Sequence, residues 1–173
     1  MPHGIVPSYI PTIGALLRAQ NTYRPILRQD AKILIAAAPF VAGRDPLYAA
    51  IDETRVVKAV VPGSSVVPLP SLEDPEYPTT AADVLGHLPS TAILHAACHG
   101  FQDPRNPLES GFALHESTLT MSQIIDLRLP NAFLAILSAC ETAKGDREQP
   151  NQAAHLAAAF FFAGFKTIVG TMW

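Results

Sequence analysis

The sequence predicts an α/β fold in which a mostly parallel central sheet carries helices on both faces. Three observations lead there. Short apolar runs in 30–39, 92–98 and 132–139 each stop at a Pro-, Gly- or polar-rich loop, the pattern of strands buried on both faces of a parallel sheet. Segments with helical spacing alternate with these runs, which makes βαβ units. Two of the runs also close on His99 and Cys140, and open parallel sheets gather their reactive groups beyond the carboxyl ends of the strands.

Residues 11–23 carry Ile13, Leu16 and Leu17 at helical spacing, with Pro11 suited to a first turn. Residues 30–39 form a buried strand ended by Pro39. A second helix over 47–60 stops near Pro62-Gly63, and 65–69 is a short strand. After a proline-rich loop at 70–77, a helix over 80–88 begins with Thr80 and carries Asp83 three residues on, a capping box. Strand 92–98 runs into a long loop, 100–109. Residues 112–114 and 118–119 make a small hairpin around Glu116-Ser117, and 122–127 is a short helix. Strand 132–138 precedes a second long loop, 139–150. A helix over 151–164, rich in Ala and Phe and ended by Gly164, leads to a last strand over 166–173.

A chain of 173 residues is one domain by size and needs no disulfide or metal to hold a core. With 12 basic and 15 acidic side chains it has no electrostatic footprint for nucleic acid or an anionic membrane. The longest apolar stretch, 153–164, is interrupted by His155 and is too short to cross a bilayer. Met1-Pro2-His3-Gly4 has no basic or apolar leader character, and two cysteines make no disulfide framework. The expectation is a soluble, cytoplasmic domain in a reducing compartment.

A thiol and an imidazole at neighbouring strand ends are the two parts of a cysteine–histidine nucleophile system. The imidazole favours the thiolate and protonates the leaving amine, and the amides of Gly100 and Cys140 are placed to form an oxyanion hole. Against this stands the ordinary fate of a free cysteine, which is to be buried and inert. Cys98 fits that description. Neighbouring strand residues point to opposite faces, so Cys98 is expected in the core while His99 faces the cleft.

The wording around these residues is informative. Leu94-His95-Ala96-Ala97-Cys98-His99-Gly100, Ser110-Gly111-Phe112-Ala113-Leu114, Leu119-Thr120, Leu137-Ser138-Ala139-Cys140-Glu141-Thr142, His155-Leu156-Ala157-Ala158-Ala159-Phe160 and Gly164-Phe165-Lys166-Thr167-Ile168-Val169-Gly170-Thr171-Met172-Trp173 together resemble the CHAT domain, a caspase-like cysteine peptidase family related to separase. Residues 7–17 also resemble the piece found upstream in such domains. The resemblance implies a caspase-like three-layer sandwich, with the catalytic histidine at His99 and the nucleophile at Cys140. It implies a protein or peptide substrate and no cofactor. Such domains often sit behind tetratricopeptide-type helical repeats, which this chain lacks. They also begin with a further strand and continue past the tryptophan, so 1–173 is expected to be a partial CHAT domain that cleaves weakly by itself. A related group, the metacaspases, places an acid two residues before the nucleophile to read a basic side chain. Ser138 stands there, so the sequence carries no such device.

Other readings of these residues are blander. His95, Cys98, His99 and Cys140 are not expected to bind metal, because the first three share a strand and cannot converge. Asp103, Glu141 and Thr142 lie in the loops beside the dyad, where a carboxylate can orient the imidazole, but the caspase-like scheme requires no third member and a solvated loop acid is the favoured explanation. Phe160, Phe161 and Phe162 read as core packing with one ring free to face a partner. The expected activity is a cysteine endopeptidase. The rival from another class is a CHAT-type interaction or regulatory module with little catalysis.

Overall fold

The computed structural model describes residues 12–21, 23, 25–27, 31–67, 69, 78–103, 105–115, 117–139 and 152–170, apart from the side chains of 15, 18 and 152–155. The predicted loop at 70–77, the predicted loop at 139–150 from residue 140 onward, and the ends of the first helix and the last strand lie outside these residues. What is described is the expected α/β architecture. A five-stranded sheet has the order β2-β1-β3-β7-β8, with β1 at Ile33–Ala37, β2 at Val66–Val67, β3 at Ile93–Ala97, β7 at Leu134–Leu137 and β8 at Thr167–Gly170. Every pairing in it is parallel.

Helices cover both faces. On one face, Leu34, Leu94, Ala96, Ala135 and Leu137 pack with α3 (Ala81–His87), α4 (Met121–Ile125) and α5 (Gln152–Ala163) through Val84, Ile124 and Phe160. Phe160 is the hub of that core, its ring 5.8 Å from Phe112 and 5.6 Å from Phe165. Of the phenylalanine triplet, Phe160 is fully buried and Phe162 is exposed. On the other face, a smaller cluster of Ile35, Ala37, Ala50 and Ala97 lies under α2 (Tyr48–Val60). The short α1 (Ile13–Asn21) keeps Ile13 and Leu17 exposed.

Local chemistry explains the boundaries. Thr80 and Asp83 form the predicted capping box at the start of α3, and Thr120 and Gln123 form a second one at the start of α4. That second box starts α4 one residue earlier than the spacing predicts. After α5, Gly164 takes φ +132°, and the Gly164 and Phe165 amides both bond back to the Phe160 carbonyl.

One element departs from expectation. The predicted loop from Gly100 begins instead as a strand, β4 (His99–Phe101), antiparallel to β5 (Gly111–Leu114), which pairs in turn with β6 (Ser117–Thr120). Three residues with a central glycine carry no readable period, so only tertiary pairing defines this strand. The chain therefore leaves the main sheet across Cys98 and enters a second, three-stranded sheet. Gly111 is required there, because a Cβ would collide with the Leu119 backbone carbonyl.

The capping box of α3 is testable. Thr80→Ala should lower stability by about 1 kcal/mol in a urea titration. The hydrogen bonds from Thr80 hold the Asp83 carboxyl below its ordinary value of 3.8. Its contribution is present above that value and is lost as pH falls through the lower folded-state value. The stability gap between the wild type and Asp83→Asn should accordingly close as the titration is repeated at progressively lower pH.

Candidate active site

The carboxyl ends of β1, β3 and β7 lie side by side. The ladder extends past the strands themselves, with the Ala38 amide donating to the Ala97 carbonyl at 3.1 Å and the Ser138 amide to the Ala96 carbonyl at 2.8 Å. Three loops therefore leave this edge together: 38–47 after β1, the turn into β4 after β3, and the segment beginning at Ser138 after β7. The predicted nucleophile, Cys140, lies outside the described residues, as do Glu141 and Thr142. The amide of Cys140 proposed for the oxyanion hole lies outside with it. Gly100 is buried in the middle of β4, opposite Phe112.

His99 is the described member of the predicted dyad. It opens β4 and is buried, only 6% exposed. Its Nε2 lies 2.8 Å from the backbone carbonyl oxygen of Asp45. A carbonyl only accepts, so Nε2 carries the proton and the neutral ring has its lone pair on Nδ1. The loop that supplies the carbonyl is itself closed. The Leu47 amide bonds the Pro39 carbonyl at 2.8 Å, and Gly43, at φ +74°, makes the turn in which the Arg44 amide reaches the Val41 carbonyl.

Cys98, one residue earlier, belongs to the opposite face. It is fully buried in the larger core, and loss of solvation pushes its thiol up to about 12. Cys98 lies in the core, as alternation along the strand predicts. Asp103 does not orient the imidazole. Its carboxylate accepts from the amides of Arg105 at 2.8 Å and Asn106 at 3.0 Å, closing a local turn. Among the described residues no group of His, Cys, Asp and Glu is arranged to hold a metal.

Two contacts at this edge were not legible in the sequence. The first is the Asp45 carbonyl, a backbone group with no sequence signature. The second is a polar cluster on the α2 face. The Ser138 hydroxyl donates to Glu53 Oε1 at 2.6 Å, and His95 Nε2 lies 3.3 Å from the same oxygen. His95 is buried, and neither of its ring nitrogens has a hydrogen-bond partner among the described residues. Burial holds its pKa below the ordinary value against the opposing pull of Glu53. A signal for this cluster did exist. Ala50, Glu53, Thr54 and Val57 share the inward stripe of α2, where an acid is out of place.

The family model for the CHAT domain matches residues 6–173. The chain belongs to the CHAT domain family. No curated protein matches it. The caspase-like character implied by the motifs is therefore shared by the sequence and by the layered parallel sheet of this CHAT domain. Among its described residues no helix is long and apolar enough to cross a membrane.

The contrast between the cysteines can be measured. Iodoacetamide should leave Cys98 unmodified in the native CHAT domain at pH 8 and alkylate it once the chain is unfolded in urea, with mass spectrometry locating the adduct.

Proposed function

We propose that this chain is a cysteine endopeptidase domain in which Cys140 is the nucleophile and His99 the proton carrier. The observation that carries the proposal is the bond from His99 Nε2 to the Asp45 carbonyl. It fixes the ring at the carboxyl end of β3 and leaves Nδ1 as the basic nitrogen. Adjacent β7 is hydrogen-bonded to β3 as far as Ser138, two residues short of Cys140.

The chemistry follows from these roles. The Cys140 thiol gives its proton to His99 Nδ1, and the thiolate attacks the peptide carbonyl carbon. The amides of Gly100 and Cys140 stabilise the oxyanion. The imidazolium then protonates the leaving nitrogen as the C–N bond breaks, which frees the amine product and leaves a thioester. Water adds to the thioester with His99 again taking the proton, and the thiol is restored as the carboxylic acid departs. The Asp45 carbonyl accepts from Nε2 throughout and steadies the charged ring without needing a carboxylate. Thiolate chemistry of this kind suits a reducing, cytoplasmic setting and a protein substrate.

Cleavage of a peptide library, read by mass spectrometry, tests the roles. Cys140→Ala should abolish cleavage, and His99→Ala should lower it by at least about a hundredfold. Cys98→Ala should preserve it while lowering the unfolding midpoint, since it removes a packed core sulfur. Cleavage that survives in Cys140→Ala would show that the thiol has been assigned wrongly.

A further inference from the structure

We infer that Phe40 and Tyr48 form a substrate subsite, which receives an aromatic or bulky aliphatic side chain two to four residues away from the scissile bond. The inference rests on the peptidase reading and adds to it a substrate class.

The placement runs through His99, whose ring the Asp45 carbonyl holds at 2.8 Å. Asp45 belongs to the loop 38–47, and the two aromatic residues stand on either side of that loop's neck. Phe40 follows Pro39 and Tyr48 follows Leu47, and the Leu47 amide donates to the Pro39 carbonyl at 2.8 Å. Across this neck the rings meet edge to face, their centroids 6.2 Å apart. Tyr48 is three residues from Asp45, so at most about 11 Å of backbone lies between the carbonyl that holds His99 and the pair. An extended peptide advances about 3.3 Å per residue. A substrate lying across His99 therefore reaches the pair with a side chain two to four residues from the bond that is cut.

Exposure separates the pair from the core. Phe40 is 51% exposed and Tyr48 66%. Their mutual contact thus leaves at least half of each residue in water, too little burial for a staple that exists only to close the loop. Single apolar residues on a surface are ordinary, whereas two large rings in contact make a patch. A further ring or branched chain laid against them removes apolar surface from water on both partners. The patch is also preformed. Ala38 is tied to the Ala97 carbonyl, Arg44 to Val41 and Leu47 to Pro39, so little order has to be gained when a ligand arrives. Asp45 is exposed in the same closed loop, and its charge disfavours an acidic residue there.

The test is cleavage of a peptide library by the full chain, read by mass spectrometry, followed by kcat and KM for two peptides that differ only in Phe or Gly at the selected position. The wild type should enrich Phe, Tyr and Leu at one position two to four residues from the cut. Phe40→Ala and Tyr48→Ala should each erase that enrichment and raise KM for the Phe peptide about tenfold more than for the Gly peptide. Tyr48→Phe, which keeps the ring, should retain the enrichment. Val60→Ala, an equally exposed apolar position at the far end of α2, should match the wild type throughout. An absence of enrichment at those positions, or an enrichment unchanged in both alanine variants, would overturn the subsite and leave the peptidase reading standing. So would a fall in kcat shared equally by the two peptides, which is what mere displacement of His99 by the loop would give. Failure of the wild type to cleave any library peptide, with Cys140 open to iodoacetamide, would overturn the peptidase reading and this inference with it.

Discussion

β3 is hydrogen-bonded in parallel along both edges, with Ile93–Ala97 in register with Ile33–Ala37 on one side and Ile93–Ala96 in register with Leu134–Leu137 on the other. A strand held from both sides cannot slip, and a slip of one residue would exchange its two faces. Much of the molecule follows from that fixed register. Leu94, Ala96 and Cys98 are committed to the larger core, while His95, Ala97 and His99 are committed to the face under α2. The small side chains at Ala96 and Ala97 let both layers approach the sheet closely. The departure of the chain at Cys98 into β4 then carries His99 beyond the sheet edge instead of ending it in a free loop.

The α2 face is where electrostatics and packing meet. It holds two histidines four residues apart, His95 in β3 and His99 at the start of β4, with different surroundings. His99 has a backbone acceptor at 2.8 Å, and His95 has a carboxylate near it but no hydrogen bond. An unsatisfied buried imidazole costs free energy that a well-packed apolar residue would not. His95 lies beside the same Glu53 oxygen that the Ser138 hydroxyl meets, so that cost sits in the polar cluster of the α2 face.

Much of this arrangement was legible in the residues. The strands at β1, β3 and β7 announce themselves as apolar runs punctuated by turn residues, and the Thr80–Asp83 capping box is visible as a four-residue pattern. Cys98 and His99 could be assigned to opposite faces from alternation alone. What escaped shares one property, which is that it depends on a partner distant in the chain. β4 exists only because β5 pairs with it. Glu53 meets Ser138 across 85 positions, and His99 meets the Asp45 carbonyl across 54. The charged residue on the inward stripe of α2 was the one local sign of the cluster, and it marks an inconsistency without naming the partner.

The group that aims His99 belongs to the main chain, and this makes the site vulnerable in an unusual place. Side-chain replacement at position 45 leaves the carbonyl where it is, so scanning mutagenesis would pass over the residue that sets the tautomer. Loop length is a different matter. Residues 38–47 are tied at both ends, by Ala38 to β3 and by Leu47 to Pro39, so inserting or deleting one residue would displace the carbonyl. The proton would then be free to move to the other ring nitrogen. On the proposed peptidase reading, the spacing between the first strand and its following helix constrains the chemistry as firmly as the identity of either member of the dyad.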